Sequence, residues 1–148
     1  MRVRLPAQGI DAKVVPVGVG RDRAMALPED ARRAGWYRFG PRPRDGVGSV
    51  VVAAHVDSRV QGRGAFYPLR GAKPGDRVEV VTQDGRVTSY RVVAREMLSK
   101  RALPLEELFR RDGREVLTLI TCGGRYLREA GGYQDNVVVT AMPMGAGR

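Results

Sequence analysis

The sequence contains an apolar run that ends in a cysteine and two glycines, Val116-Leu117-Thr118-Leu119-Ile120-Thr121-Cys122-Gly123-Gly124. Residues 116–121 predict a buried strand, and the glycines predict a loop directly after it. A second run, residues 49–56, is rich in valine and predicts a central strand buried on both faces. His55 lies near the end of this second strand. Two reactive side chains therefore follow two buried strands, where a fixed backbone presents them to solvent.

Cys122 and His55 are the only cysteine and the only histidine in the chain. A thiol attacks as its thiolate and a nearby imidazole is its proton partner, so the pair predicts a nucleophilic site. Gly123 and Gly124 support this interpretation because they let a ligand approach the backbone closely. Asp57, two residues after His55, adds a polar group beside it. The residues alone leave one alternative open, in which Cys122 is a small core residue and His55 a hydrogen-bonded core histidine.

The rest of the chain reads as short strands separated by turns. Further strands are predicted over residues 2–5, 12–19, 77–80, 87–97 and 136–141, with an Asp84-Gly85 hairpin turn. A helical turn is predicted from Pro28 to Gly35 and a helix over residues 103–109, and a glycine-rich loop over residues 123–132. Seven or eight short strands with one or two short helices predict an all-β fold, a closed or nearly closed β-barrel. The length of 148 residues predicts a single domain, residues 1–148.

Composition excludes several classes of protein. A single cysteine excludes an intramolecular disulfide and a cysteine-rich zinc site, and a single histidine excludes a poly-histidine metal centre. We therefore expect no metal and no cofactor. No stretch approaches the roughly 18 consecutive apolar residues of a membrane-spanning helix.

The chain is strongly basic, with 26 Lys and Arg against 16 Asp and Glu and a formal net charge of +10. This charge raises the alternative of a nucleic-acid-binding barrel. The arginines are scattered in ones and twos from Arg2 to Arg148, and no nucleic-acid-binding motif accompanies them. We interpret the charge as a solvated surface that suits an anionic envelope, and expect no nucleic-acid partner.

Two segments resemble the signature of the sortases. Residues 118–122 resemble their T-L-x-T-C strand, which delivers the nucleophile, and Ala54-His55-Val56-Asp57-Ser58 resembles their histidine segment. Five further segments, in the same order, resemble the actinobacterial branch called class F, with class E as the near alternative: residues 10–18, 35–38, 40–41, 73–76 and 133–139. The resemblance covers almost the whole chain.

This resemblance implies a closed eight-stranded β-barrel and a cysteine transpeptidase. Cys122 would attack the Thr carbonyl of an L-P-x-T-G-like sorting signal and form a thioacyl enzyme, while His55 would protonate the departing Gly amine. The implied partners are secreted proteins with a C-terminal signal of this type, and an amine of a peptidoglycan precursor or of a pilin lysine. We expect a monomer on the extracellular face of the cell membrane, held by an N-terminal anchor encoded before Met1.

The sequence departs from the resemblance at one position. Sortases carry an arginine at the start of the strand after the nucleophile, and here the expected Tyr-Arg-Asp-Asn reads Tyr133-Gln134-Asp135-Asn136. Gln134, the positional equivalent, donates a hydrogen bond but carries no charge, so it stabilises an oxyanion less. Arg128, in the preceding loop, is our choice for the third catalytic residue, with Arg125 as the other candidate. Thr121 is predicted to contact the peptide.

The missing arginine also motivates a rival interpretation. A sortase-shaped domain that is catalytically weak or non-catalytic would bind the peptide without turning it over.

Overall fold

The computed structural model describes residues 1–20 and 24–145, and eight of its strands close into a barrel. These strands are β1 Arg2–Leu5, β2 Ile10–Val17, β3 Ala34–Tyr37, β4 Ser49–Ala53, β7 Arg77–Val81, β8 Val87–Ser99, β9 Val116–Leu127 and β10 Gly132–Pro143. The barrel order is β1-β2-β3-β4-β9-β10-β8-β7, with β7 pairing back onto β1. The pairs β2–β3 and β4–β9 are parallel and the others are antiparallel. The predicted closed eight-stranded barrel is therefore confirmed.

The remaining elements are short. A separate two-stranded ribbon, β5 Asp57–Ser58 and β6 Gly62–Arg63, follows β4. The described residues contain one α-helix, α1 Leu105–Leu108, and short 3₁₀ turns at Pro6–Gln8, Tyr67–Gly71, Lys100–Ala102 and Arg128–Ala130. No helix within residues 1–20 and 24–145 is both long enough and apolar enough to cross a membrane.

Every residue of β4 is buried, as its valine-rich sequence predicts. Alternate residues of β4 and β9 point into the barrel and pack in one apolar core with residues from the other barrel strands; from these two strands and the residue after β4 they are Val50, Val52, Ala54, Leu117 and Leu119. Because side chains alternate along a strand, the residues between them face outward.

A buried carboxylate, Glu115, lies directly before β9. Glu115 accepts a 2.5 Å hydrogen bond from the Tyr90 hydroxyl and two more from the backbone N–H groups of Arg44 and Gly46, at 3.1 Å and 2.8 Å. Burial and this contact raise the pKa of Tyr90, so its hydroxyl stays a donor. Glu115 thereby holds the loop in which Arg44 adopts a positive φ of 74°.

Three predicted elements differ from the structure. The segment after Pro28 forms no helix; Asp30 accepts backbone N–H bonds from Arg32 and Arg33 in a tight turn, and β3 begins at Ala34. The predicted helix over residues 103–109 shortens to the single turn of α1.

The predicted loop over residues 123–132 is instead mostly the hairpin of β9 and β10. Its arms are paired at Leu127 with Gly132 and at Tyr126 with Tyr133, whose rings pack edge to face at 5.1 Å. Aromatic cross-strand packing of this kind stabilises a hairpin despite its glycines.

Candidate active site

The parallel pairing of β4 with β9 ends two residues before each of the two reactive residues. Ala53 pairs with Ile120, and the pairing continues with a 3.2 Å hydrogen bond from the Ala54 N–H to the Ile120 carbonyl. His55 and Cys122 each lie two residues beyond this last pair, His55 after the end of β4 and Cys122 within β9. Both residues are half-buried.

Thr121 joins the two segments directly beside the reactive residues. Its side chain is buried, and its Oγ1 donates a 2.7 Å hydrogen bond to the carbonyl oxygen of Ala54, the residue before His55. The hydroxyl hydrogen is thus used within the protein. The expected contact of Thr121 with a peptide stays a prediction.

His55 is oriented by a backbone carbonyl and by a glycine behind it. Its Nε2 lies 3.2 Å from the carbonyl oxygen of Pro28. A carbonyl only accepts, so Nε2 carries the hydrogen of this contact, and in the neutral ring Nδ1 is then the nitrogen with a free lone pair. A Cβ atom at Gly64 would lie 2.1 Å from the carbonyl oxygen of His55, so only glycine fits there. No local sequence pattern predicts this close approach.

Cys122 has a cationic neighbour that the sequence analysis missed. The Nζ of Lys100 donates to the Sγ of Cys122 at 3.4 Å. Lys100 follows β8 in the 3₁₀ turn Lys100–Ala102, and the contact reaches across β10, which lies between β8 and β9. Because the contact of Lys100 with Cys122 spans two strand spacings, no local sequence pattern predicts it.

Gln134 lies where the pairing of β9 with β10 is interrupted. Asn136 pairs with Cys122, and the register shifts between Tyr133 and Asp135. Within this irregularity the Nε2 of Gln134 donates a 2.8 Å hydrogen bond to the carbonyl of Gly132. Bulges of this kind often occur next to active sites, where they redirect side chains.

On the opposite arm of the irregularity, Gly124 has a φ of +74°, and a Cβ atom there would lie 2.1 Å from the Oδ2 of Asp135. Both the backbone conformation and the close carboxylate require glycine at this position.

Tyr133 links the β9–β10 hairpin to the segment after His55. Its hydroxyl donates a 2.5 Å hydrogen bond to the Oδ2 of Asp57. This hydrogen bond, followed by burial and the negative charge of Asp57, raises the pKa of Tyr133 to about 12. Asp57 therefore holds the hairpin beside the histidine segment.

Arg128 lies apart from these residues. It begins the exposed 3₁₀ turn Arg128–Ala130 at the tip of the hairpin, six residues after Cys122. At about 3.3 Å per residue, the strand separates the two backbones by up to roughly 20 Å. Arg125 is also exposed and is closer along the chain. The structure thus joins Thr121, the residue before Cys122, to Ala54, the residue before His55. It places Gln134 on the adjacent strand and leaves Arg128 at the hairpin tip.

Two surface cavities lie elsewhere on the barrel. One of about 620 Å³ is lined by Trp36, Arg42 and Asp84, among others, and one of about 360 Å³ by Arg32 and Tyr67, among others. Neither His55 nor Cys122 lines either cavity, so the candidate site lies outside both.

Several solved structures share this fold. Sortase C1 from Streptococcus agalactiae, in complex with MTSET, is 19% identical with a TM-score of 0.75, over 99% of this chain and 69% of that chain. Sortase C-1 from Actinomyces oris is 18% identical with a TM-score of 0.74, over 97% of this chain and 73% of that chain. Sortase A from Corynebacterium diphtheriae is 17% identical with a TM-score of 0.70, over 97% and 60%.

The sequence itself carries the family assignment. Comparison with curated protein sequences gave no match. The family model described as Sortase domain, however, matches residues 3–144, nearly the whole chain. Sortases are cysteine transpeptidases that act at the cell envelope. With this match and its closed barrel, the chain belongs to the sortase family.

Proposed function

We propose that this protein cleaves an L-P-x-T-G-like sorting signal between Thr and Gly and joins the Thr carboxyl to an amine. The observation that carries the proposal is the register of β4 and β9, whose last pair, Ala53–Ile120, comes two residues before His55 and two residues before Cys122. The hydrogen bond from Thr121 to Ala54 supports it, because it fixes the two backbones that present these side chains. Fixed geometry of a nucleophile and its proton partner is a large source of rate enhancement.

The reaction proceeds in two halves. The Cys122 sulfur attacks the Thr carbonyl carbon, a sulfur–carbon bond forms, and the carbon–nitrogen bond to Gly breaks as the amine takes a proton from His55. An incoming amine then gives a proton to His55, attacks the thioester and releases the sulfur. Because Nε2 is held by the Pro28 carbonyl, Nδ1 performs both proton transfers. Gln134 is the proposed substrate-binding donor, and Arg128 is the sequence-based candidate for the third catalytic residue.

The finer assignments rest on the motifs. Residues 10–18, 35–38 and 133–139 resemble the actinobacterial class F branch, with class E as the near alternative. The substrates are secreted proteins with a C-terminal signal, and the acceptor amine belongs to a peptidoglycan precursor or a pilin lysine. The proposed location is the extracellular face of the cell membrane, where an N-terminal anchor holds a monomer that needs no cofactor.

A fluorogenic L-P-x-T-G peptide tests the proposal. We expect turnover and a thioacyl adduct on Cys122 in the wild-type protein, and neither in Cys122→Ala. His55→Ala is expected to lose turnover as well, since the chain has no second histidine. Turnover that survives Cys122→Ala would contradict the mechanism. The comparisons do not favour a non-catalytic binding domain, which would bind the peptide without releasing product.

A further inference from the structure

We propose that Lys100 is a catalytic residue that supplies the positive charge which Gln134 lacks. Its ammonium group stabilises the negative charge on the Cys122 sulfur and then on the carbonyl oxygen of the tetrahedral intermediate. The inference rests on the proposed transpeptidase function. It assigns the charge to a residue that neither the family resemblance nor the sequence pattern indicates.

The register of three adjacent strands carries the inference. In the β8–β10 pair Ser99 lies opposite Asp135, so the next position sets Lys100 beside Gln134. In the β10–β9 pair Asn136 lies opposite Cys122. Lys100 therefore starts two strand spacings across and two residues along from the nucleophile, roughly 12 Å between the backbones. The long lysine side chain extends over β10 and ends 3.4 Å from the Cys122 sulfur.

The turn that holds Lys100 has its own hydrogen bond. The Oγ of Ser99 accepts a 3.3 Å hydrogen bond from the N–H of Arg101, which caps the 3₁₀ turn Lys100–Ala102. Among the described residues, no carboxylate forms an ion pair with Lys100. Its charge is therefore directed to the thiol rather than neutralised by an acidic neighbour.

Lysine suits this role because its ammonium group is a compact charge with three donors. As the thiolate attacks, the sulfur–carbon bond forms and the carbonyl π electrons move to the oxygen, so the negative charge shifts by a bond length or two. Lys100 donates hydrogen bonds to both positions and keeps its own protons throughout. The proton that leaves with the Gly amine comes from His55.

The test compares Lys100→Met and Lys100→Arg with Lys73→Met, in the full chain. Lys73 is an exposed lysine in the turn before β7, so it controls for the loss of one surface charge. Two quantities are measured: kcat/KM on the L-P-x-T-G peptide, and the rate at which iodoacetamide alkylates Cys122 at one fixed, neutral pH. A thermal melt checks that each variant is folded.

We expect Lys100→Met to lower kcat/KM by about 10²-fold, the usual cost of removing one oxyanion donor, and to slow alkylation severalfold. Lys100→Arg keeps the charge and is expected to retain most of both rates, while Lys73→Met changes neither. If the wild-type protein turns over the peptide and Lys100→Met matches Lys73→Met, the role of Lys100 is wrong and the proposed function stands. If the wild-type protein turns over no peptide but Lys100→Met still slows alkylation, the proposed function fails and the stabilisation of the thiolate by Lys100 stands.

Discussion

The hydroxyl of Thr121 donates a 2.7 Å hydrogen bond to the carbonyl of Ala54, and so ties the residue before the nucleophile to the residue before the histidine. Both residues are buried, with Thr121 only 4% exposed. A second side-chain bond joins the same two strands nearer their start, between Ser49 Oγ and Thr118 Oγ1, also at 2.7 Å. The first bond lies beside the candidate site and the second lies away from it. Removing each bond in turn therefore distinguishes an effect on the position of the reactive residues from an effect on the stability of the fold.

We expect Thr121→Val to lower kcat/KM at least tenfold. The substitution keeps the shape and leaves the buried Ala54 carbonyl without this donor, which costs about 1–3 kcal/mol of the free energy of unfolding. Thr121→Ser restores the donor and is expected to recover most of the activity. Peptide kinetics and urea unfolding of each variant are the measurements.

Thr118→Val is the matched control. It loses a bond of the same length between the same strands, so its stability is expected to fall by a similar amount while its kcat/KM stays within about twofold, below roughly 0.5 kcal/mol. Equal activity losses in Thr118→Val and Thr121→Val would show that the Thr121 bond acts only through stability.

Gly64 is expected to be required for the placement of His55. In Gly64→Ala the new Cβ would lie 2.1 Å from the His55 carbonyl oxygen, which forces the histidine backbone to move. A shift of about 1 Å at a catalytic group is enough to cost about 10²-fold in rate. Gly71→Ala, where a Cβ meets nothing within 4 Å, is the control. Wild-type kcat/KM in Gly64→Ala would disprove this constraint.

The sequence predicted the parts of the site that local patterns encode. The strands before His55 and Cys122 are continuous apolar runs, and runs of this kind are typical of strands that are buried on both faces. The 123–132 segment was wrongly predicted as a loop, because its glycines and charges mask a pairing that the rings of Tyr126 and Tyr133 stabilise across the hairpin.

Contacts between distant segments could not be predicted in this way. The contact between Lys100 and Cys122 depends on the strand order β9-β10-β8 in the barrel. A single sequence does not reveal this order. The same is true of Asp57, whose partner Tyr133 is 76 residues away.

The contact between Tyr133 and Asp57 predicts an unusual alkaline titration. The folded-state pKa of Tyr133 is raised from 10.0 to about 12, chiefly by this hydrogen bond. A raised pKa means that the bond and its stabilisation are fully present below pH 10 and are lost as the pH rises through about 12. Phenolate absorbance, measured as wild type minus Tyr133→Phe, is expected to show this late transition. In Asp57→Asn it is expected to return toward 10.0; an unchanged midpoint there would exclude Asp57 as the cause.

The last prediction concerns which residue replaces the missing arginine. If Lys100 supplies the charge, Gln134→Arg in the wild-type background adds a second cation to a site that already has one, and kcat/KM rises by less than about threefold. In the Lys100→Met background the same substitution restores a charge on the strand beside Cys122, and we expect a gain of about tenfold or more, within the range that a single oxyanion contact supplies. Arg128→Ala is expected to stay within about twofold in both backgrounds, because Arg128 lies at the hairpin tip. A loss near 10²-fold in Arg128→Ala, with Lys100→Met unaffected, would instead assign the charge to the hairpin and require its tip to fold back over Cys122 when the peptide binds.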